Sequence, residues 1–205
     1  LKAVLDERYG KDGYKINEGD GAFYGPKIDI MMKDALNRVW QTGTIQLDFQ
    51  LSRNFGLTYT DKDGLQKTPV VVHRVIYGSL ERFIGILIEH FAGKFPFWIS
   101  PEQVGIVPVR DEHNEYASKI AEKLRFARIR AEIDTSEGTM GNKIKHFRNK
   151  LMPYIIIVGD KEMESGTISL RVRTGKQIND ISLDSFIKAC QEMNEKHSLE
   201  LTEEF

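Results

Sequence analysis

The hydrophobic pattern of this chain changes character at the proline-bracketed connector GKFPFWISPEQ, residues 93–103. Before it, the pattern is strand-rich with glycine punctuation; after it, short apolar strands alternate with amphipathic helices. One layer arrangement does not serve both patterns, so two modules are expected, residues 1–100 and 101–205. A length of 205 residues accommodates them. Proline donates nothing to a ladder and pushes its predecessor out of the helical region, so the connector reads as stiff and partly packed around Phe97 and Trp98.

In the first half, residues 14–17 and 27–32 alternate as strands, and the turn GDGAFYG between them predicts an antiparallel hairpin. Residues 38–49, RVWQTGTIQLDF, form another alternating run. Simple alternation puts Val39, Gln41, Gly43, Ile45, Leu47 and Phe49 on one face and Trp40, Thr42, Thr44, Gln46 and Asp48 on the other, which is unusually polar for a strand. Val70 to Val72 lead into His73 and Arg74; Gly78 and Ser79 then open a helix with Leu80, Phe83, Ile84, Leu87, Ile88 and Phe91 at helical spacing. The expectation is a strand, a turn and a buried helix.

The second half predicts strands at 104–109, 129–133, 154–158 and 168–172 and helices at 114–127, 142–150 and 182–196, the last capped by Ser182. That order describes a small α/β sandwich with a mostly parallel, mixed sheet and right-handed crossovers.

With 29 Lys plus Arg against 30 Asp plus Glu, the net charge is −1, so any polyanion site must be a local patch. Cys190 has no partner for an internal disulfide and no CxxC pair exists, which fits a reducing cytoplasm. The strongest apolar run, residues 83–88, is far short of the roughly 20 residues of a membrane span, so no membrane is expected. The mixed charges of LKAVLDERYG do not read as a signal peptide, and a start at Leu1 reads as an upstream part cut away.

Glu81-Arg82 stands at the beginning of the strongly apolar helix. A helix start offers free N–H groups and a favourable dipole to anions, and a guanidinium there can fork onto phosphate or stack on a base. The competing reading is an Arg82–Glu81 or Arg82–Asp pair that closes the helix start. Basic residues cluster in the second half, Lys123, Arg125, Arg128 and Arg130, then Lys143, Lys145, Arg148 and Lys150; they read either as an RNA-facing patch or as the solvated faces of ordinary helices. A lone strand histidine such as His73 is by itself a structural residue, since zinc takes three or four protein donors.

The segment GSLERF, residues 78–83, resembles motif 3 of class II aminoacyl-tRNA synthetases. Together with GDGAFYGPKIDI, WQTGTIQLDF, VHRVIYGSLERFIGILIEH and VGDKEMESG, it is similar to the threonyl-tRNA synthetases over nearly the whole chain. The resemblance implies an α+β fold: the end of an antiparallel class II catalytic domain, then an α/β anticodon-binding domain. It implies a threonine–tRNA ligase in the cytoplasm that uses ATP, Mg2+ and Zn2+, with tRNA(Thr), threonine and ATP as partners and a homodimer in the full-length enzyme.

By the same resemblance, Arg82 and Lys27 are catalytic, and Tyr24, Gln41, Thr44, Gln46 and Ser79 line the ATP and adenylate pocket beside Arg82. His73 is one of three zinc ligands, the others lying upstream, so this chain alone should bind zinc weakly or not at all. Glu162 and Arg171 read anticodon bases. No block resembling motifs 1 and 2 is present, which keeps a rival open, a non-catalytic tRNA-binding fragment or paralogue; a prolyl or seryl relative fits WQTGTIQLD and His73 less well.

Overall fold

Val39–Asp48 is the longest strand of the protein, as its content of β-branched and aromatic residues favours. The computed structural model describes all 205 residues, and the backbone separates into two compact units, Leu1–Ile86 and Leu87–Phe205. In the first, α1 (Lys2–Tyr9) precedes β1 (Lys27–Lys33), β2 (Val39–Asp48), the single turn α2 (Leu51–Asn54), a small ribbon of β3 (Tyr59–Thr60) and β4 (Gln66–Lys67), and β5 (Val71–Val75). Strands β1, β2 and β5 make an antiparallel sheet with β2 in the middle. The division between the units falls inside α3 (Leu80–Phe91).

Two expectations for this unit need correction. Residues 14–17 form no strand, so β1 pairs with β2 rather than with an upstream hairpin arm; Tyr14 instead turns its hydroxyl to donate to Asp6 of α1 at 2.7 Å. Helix α3 is amphipathic as its spacing requires, yet none of its residues is buried, and Leu80, Ile84 and Ile88 are exposed. Periodicity identifies an apolar stripe; burial depends on another layer lying over it.

The second unit is a sandwich of β6 (Val104–Pro108), α4 (Asn114–Phe126), β7 (Ala131–Ile133), α5 (Met140–Asn149), β8 (Tyr154–Val158), α6 (Asp160–Ser165), β9 (Thr167–Val172), β10 (Gln177–Ser182) and α7 (Leu183–Glu195). The sheet runs β10-β9-β8-β6-β7 and is mixed. Pairs β6·β7 and β6·β8 are parallel, β8·β9 and β9·β10 antiparallel, so the unforeseen β10 makes the two kinds equal in number. All five residues of β8 are buried because both faces are covered. Phe97, α4 and α7, with Leu124, Phe186 and Cys190, cover one face; α5, with Ile144 and Phe147, covers the other.

By packing, the proline-bracketed connector belongs to the second unit. Phe97 is fully buried in its core, and Gln103 donates to the Phe97 carbonyl. Arg130 does not join an RNA-facing patch: its guanidinium donates to the carbonyls of Trp98, Ser100 and Pro101 at 2.8 to 3.1 Å. Burial pushes its pKa down, but no carboxylate competes for it. Arg130→Ala is expected to destabilise the protein by about 2 kcal/mol, because three carbonyls lose a charged donor, and Arg130→Lys to restore little of it, since an ammonium does not reproduce the fork. Urea unfolding of the three proteins measures both.

Candidate substrate face and RNA groove

A bulge decides which side chains share the face of the first sheet. Opposite Ile30 and Met31, strand β2 carries an extra residue, Thr42, between Gly43 and Gln41. Alternation puts Gln41 and Thr44 on opposite faces; the extra residue brings them onto the same one. Gln41 therefore donates to Asp29 Oδ1 at 2.7 Å, and Asp29 lies directly across from Thr44. The displaced Thr42 turns inward and donates to the Ile30 carbonyl.

The registers then align Lys27, Gln46 and His73 in one row across all three strands, with Asp29 and Thr44 in the next. Tyr24 reaches this row from the preceding turn, donating its hydroxyl to Gln46 Oε1 at 2.6 Å and setting its ring edge-on to His73. The turn that delivers it needs Gly25. At φ +157 it lies against β2, where an added Cβ would meet the Leu47 carbonyl oxygen at 2.1 Å. Leu47 donates to the Pro26 carbonyl and Phe49 to that of Tyr24, one on each side.

Each acid on this face is neutralised where it stands. Burial works against the charge of Asp29, but Lys27 at 2.8 Å, with Thr44 and Gln41, outweighs it and holds the carboxyl below its usual range. Asp48 is likewise held low, chiefly by the Leu51 N–H and then by His73, whose Nε2 lies 3.0 Å away. With Nε2 engaged, the ring leaves Nδ1 without a hydrogen bond. Sequence reasoning missed Asp29 as a site residue and left Asp48 as one more polar strand residue; the two-residue step from Lys27 to Asp29 is the signal that could have found the first.

Ser79 caps α3, accepting from the Arg82 N–H at 3.3 Å, and its hydroxyl donates to Glu81. The turn before it lies against β2 through Gly78, whose φ of +65 suits glycine and whose Cβ position is 3.4 Å from the Thr42 carbonyl. Arg82 thus starts beside the Gln41 end of the polar face. Its guanidinium is exposed and makes no ion pair, and Glu81 is taken by Ser79, so the self-contained Arg82–Glu81 pair does not form.

In the second unit, β9 links Glu162 and Arg171: Arg171 lines a groove, and Glu162 holds Ser169, two residues before it on the strand. Ser169 and Arg171 stand two apart on β9, across from Ile157 and Ile155, on the face that α5 covers. Glu162 on α6 accepts from Ser169 Oγ at 2.6 Å and from the Gly159 N–H at 3.0 Å. Burial opposes its charge, but these donors hold its carboxyl below the usual range. Arg171 lines an open groove of about 560 Å³ with Met140, Lys145, Arg148 and Asn149, and its Nε is enclosed there without a partner. Of the basic cluster, Lys143 is buried and Lys150 is paired to Glu132 and Glu102, which leaves Lys145 and Arg148 on the groove and Lys123, Arg125 and Arg128 exposed elsewhere.

The family profile described as "tRNA synthetase class II core domain (G, H, P, S and T)" matches residues 4–91, and "Anticodon binding domain" matches residues 103–193. Threonine–tRNA ligase of Thermotoga neapolitana is 49% identical over 202 residues, 98% of this chain and 31% of the relative. That of Caldanaerobacter subterraneus subsp. tengcongensis is 53% identical over 175 residues, 85% of this chain and 27% of the relative. The chain belongs to the threonyl-tRNA synthetase family.

A solved RNA-binding domain of a threonyl-tRNA synthetase from Cryptosporidium parvum superposes with a TM-score of 0.80 at 41% identity, over 94% of this chain and 48% of that one. The chain spans about a third of the length of the curated relatives it matches, and it carries part of the class II core and an anticodon-binding domain. No helix is long and apolar enough to cross a membrane.

Proposed function

We propose that the parent protein activates threonine with ATP and transfers it to tRNA(Thr) in the cytoplasm, and that this chain supplies one wall of the active site and the reader of the anticodon, with the functional boundary near Pro101. In activation the threonine carboxylate attacks the α-phosphorus of ATP, the bond to the bridging oxygen breaks, and pyrophosphate leaves. No covalent nucleophile is needed; the protein holds two anions together and offsets their repulsion. The observation that carries the proposal is the row Lys27–Gln46–His73 on a polar sheet face, with the unpaired Arg82 at the helix start beside it.

In this reading Arg82 orients the triphosphate and covers the adenine. Tyr24, Gln41, Thr44, Gln46 and Ser79 offer hydroxyl and amide groups to the adenylate, and Lys27 adds a cation near its phosphate. Magnesium travels with the phosphates, and no side chain here is assigned to it, since Asp29 and Asp48 are both engaged.

His73 fits zinc as a single ligand: Asp48 orients the ring through Nε2 and leaves Nδ1 as donor, a usual arrangement for a ligating histidine. When bound, zinc would hold the amino and hydroxyl groups of threonine and so reject valine. One imidazole does not complete a zinc site. The cluster of Glu112, His113 and Asp160 does not replace it: Arg110 N–H donates to His113 Nδ1, so the proton on Nε2 is given to Asp160 and neither nitrogen offers a lone pair to a metal. Glu162 and Arg171 read bases, Arg171 from the groove, and pairing of two such chains through the catalytic units completes the proposed assembly.

Threonine-dependent exchange between pyrophosphate and ATP tests the proposal. The full-length protein is expected to catalyse it, and the 205-residue chain, without the other walls, to show none. Exchange by this chain at the rate of the full-length protein, or none by the full-length protein, would contradict the division of labour.

A further inference from the structure

His113 is the only histidine of the chain that is buried, at the end of the short 3-10 turn Asp111–His113 that leads into α4. Its Nδ1 accepts from the Arg110 N–H at 3.1 Å, which fixes the tautomer, and its Nε2–H donates to Asp160 Oδ1 at 2.9 Å. Asp160 is the first residue of α6, and Glu162 follows two residues later in the same turn. The two segments leave neighbouring parallel strands at the same end of the sheet, the turn of His113 from β6 and α6 from β8. Arg110 closes the arrangement from outside, with Nη1 2.9 Å from Glu112 and 3.5 Å from Asp160.

Glu162 is therefore held from two sides. Ser169 and the Gly159 N–H grip its carboxylate, while the His113–Asp160 bond fixes the helical turn that carries it. A six-residue helix joined to its strands by single glycines, Gly159 and Gly166, has little stiffness of its own, and a base-reading carboxylate has to be held to a fraction of an ångström. We propose that His113 and Asp160 form a clamp that positions Glu162, so that anticodon discrimination depends on a hydrogen bond that touches no RNA. The inference rests on the proposed base-reading role of Glu162.

Asp160 is the member to vary, because its side chain is 57% exposed whereas His113 is enclosed in the fold. The probes are two RNA hairpins, the anticodon stem-loop of tRNA(Thr) and the same hairpin with one anticodon base changed. The measured quantity is the ratio of their dissociation constants on the 205-residue chain at neutral pH. Asp160→Ala is expected to lower that ratio about fivefold, the size of one oriented hydrogen bond. Asp160→Asn keeps an oxygen that accepts the Nε2–H and is expected to keep the ratio. Ser169→Ala, which frees the carboxylate from the other side, is expected to act like Asp160→Ala.

General loosening of the fold weakens both hairpins alike and leaves the ratio where it was, so the ratio separates positioning from stability. If Glu162→Gln abolishes discrimination while Asp160→Ala and Ser169→Ala preserve it, the clamp is wrong and the base-reading role of Glu162 stands. If Glu162→Gln preserves discrimination, the base-reading role fails and takes the clamp with it.

Discussion

Replacing Arg82 with alanine in the full-length protein is expected to lower threonine-dependent adenylate formation at least about tenfold, the loss of one charged hydrogen bond to phosphate. The geometry makes this a clean experiment. The guanidinium is exposed and has no carboxylate partner, and Glu81 accepts from Ser79, so removing the cation strands no buried acid. The cap on α3 uses the Arg82 backbone N–H, which alanine retains. Stability should accordingly stay within about 0.5 kcal/mol of the parent. Arg82→Lys is expected to recover only part of the rate, since a point charge neither forks onto phosphate nor stacks on adenine. Unchanged activation kinetics in Arg82→Ala would remove this residue from the reaction.

Gly25→Ala is expected to cost about 1–3 kcal/mol of stability and to depress activation together with threonine binding. The methyl group has nowhere to go: the Leu47 carbonyl oxygen lies 2.1 Å from its position, and φ is +157. Relief requires the turn to lift off β2, which breaks the hydrogen bonds on either side and withdraws Tyr24 from Gln46 and Lys27 from the row. Gly85 in α3 is the control. Nothing lies within 4 Å of its Cβ position, so Gly85→Ala should be neutral or stabilising by about 0.5–1 kcal/mol. Thermal melts beside steady-state activation kinetics distinguish the two glycines; equal behaviour would mean that the Gly25 turn does not shape the face.

The strands and helices of the second unit were largely legible because each carries its own signal. Residues 154–158 are continuously apolar, and Ser182 caps α7 as its type suggests, accepting from the Ser185 N–H. Strand β10 was not legible: QINDIS lacks alternation, and its register shifts between Ile178 and Ile181, where Asp180 takes φ +58. Helix α6 was hidden for a similar reason, six mostly polar residues with no periodic stripe.

For the substrate face, Tyr24, Gln46 and His73 were singled out only through the family resemblance, since a turn aromatic or a lone strand histidine reads by itself as structural, and the placement of Gln41 depends on a bulge that alternation cannot express. The acids Asp29 and Asp48 were illegible as site members because their part is to hold Lys27, Gln41 and His73. Charge counting failed in the opposite direction at Arg130, Lys143 and Lys150, where sequence marks a cation but not the carbonyls, core or carboxylates that occupy it. The exposed stripe of α3 makes the same point about apolar residues: amphipathicity is local, and burial depends on another layer.

The most direct test of the account is a structure of the full-length protein with a non-hydrolysable threonyl-adenylate analogue. The account predicts the analogue on the polar face of β1, β2 and β5, with its polar groups on Tyr24 and Gln46 and the Arg82 guanidinium against its adenine or phosphate. An analogue bound away from that face, with Arg82 turned into solvent, would contradict it.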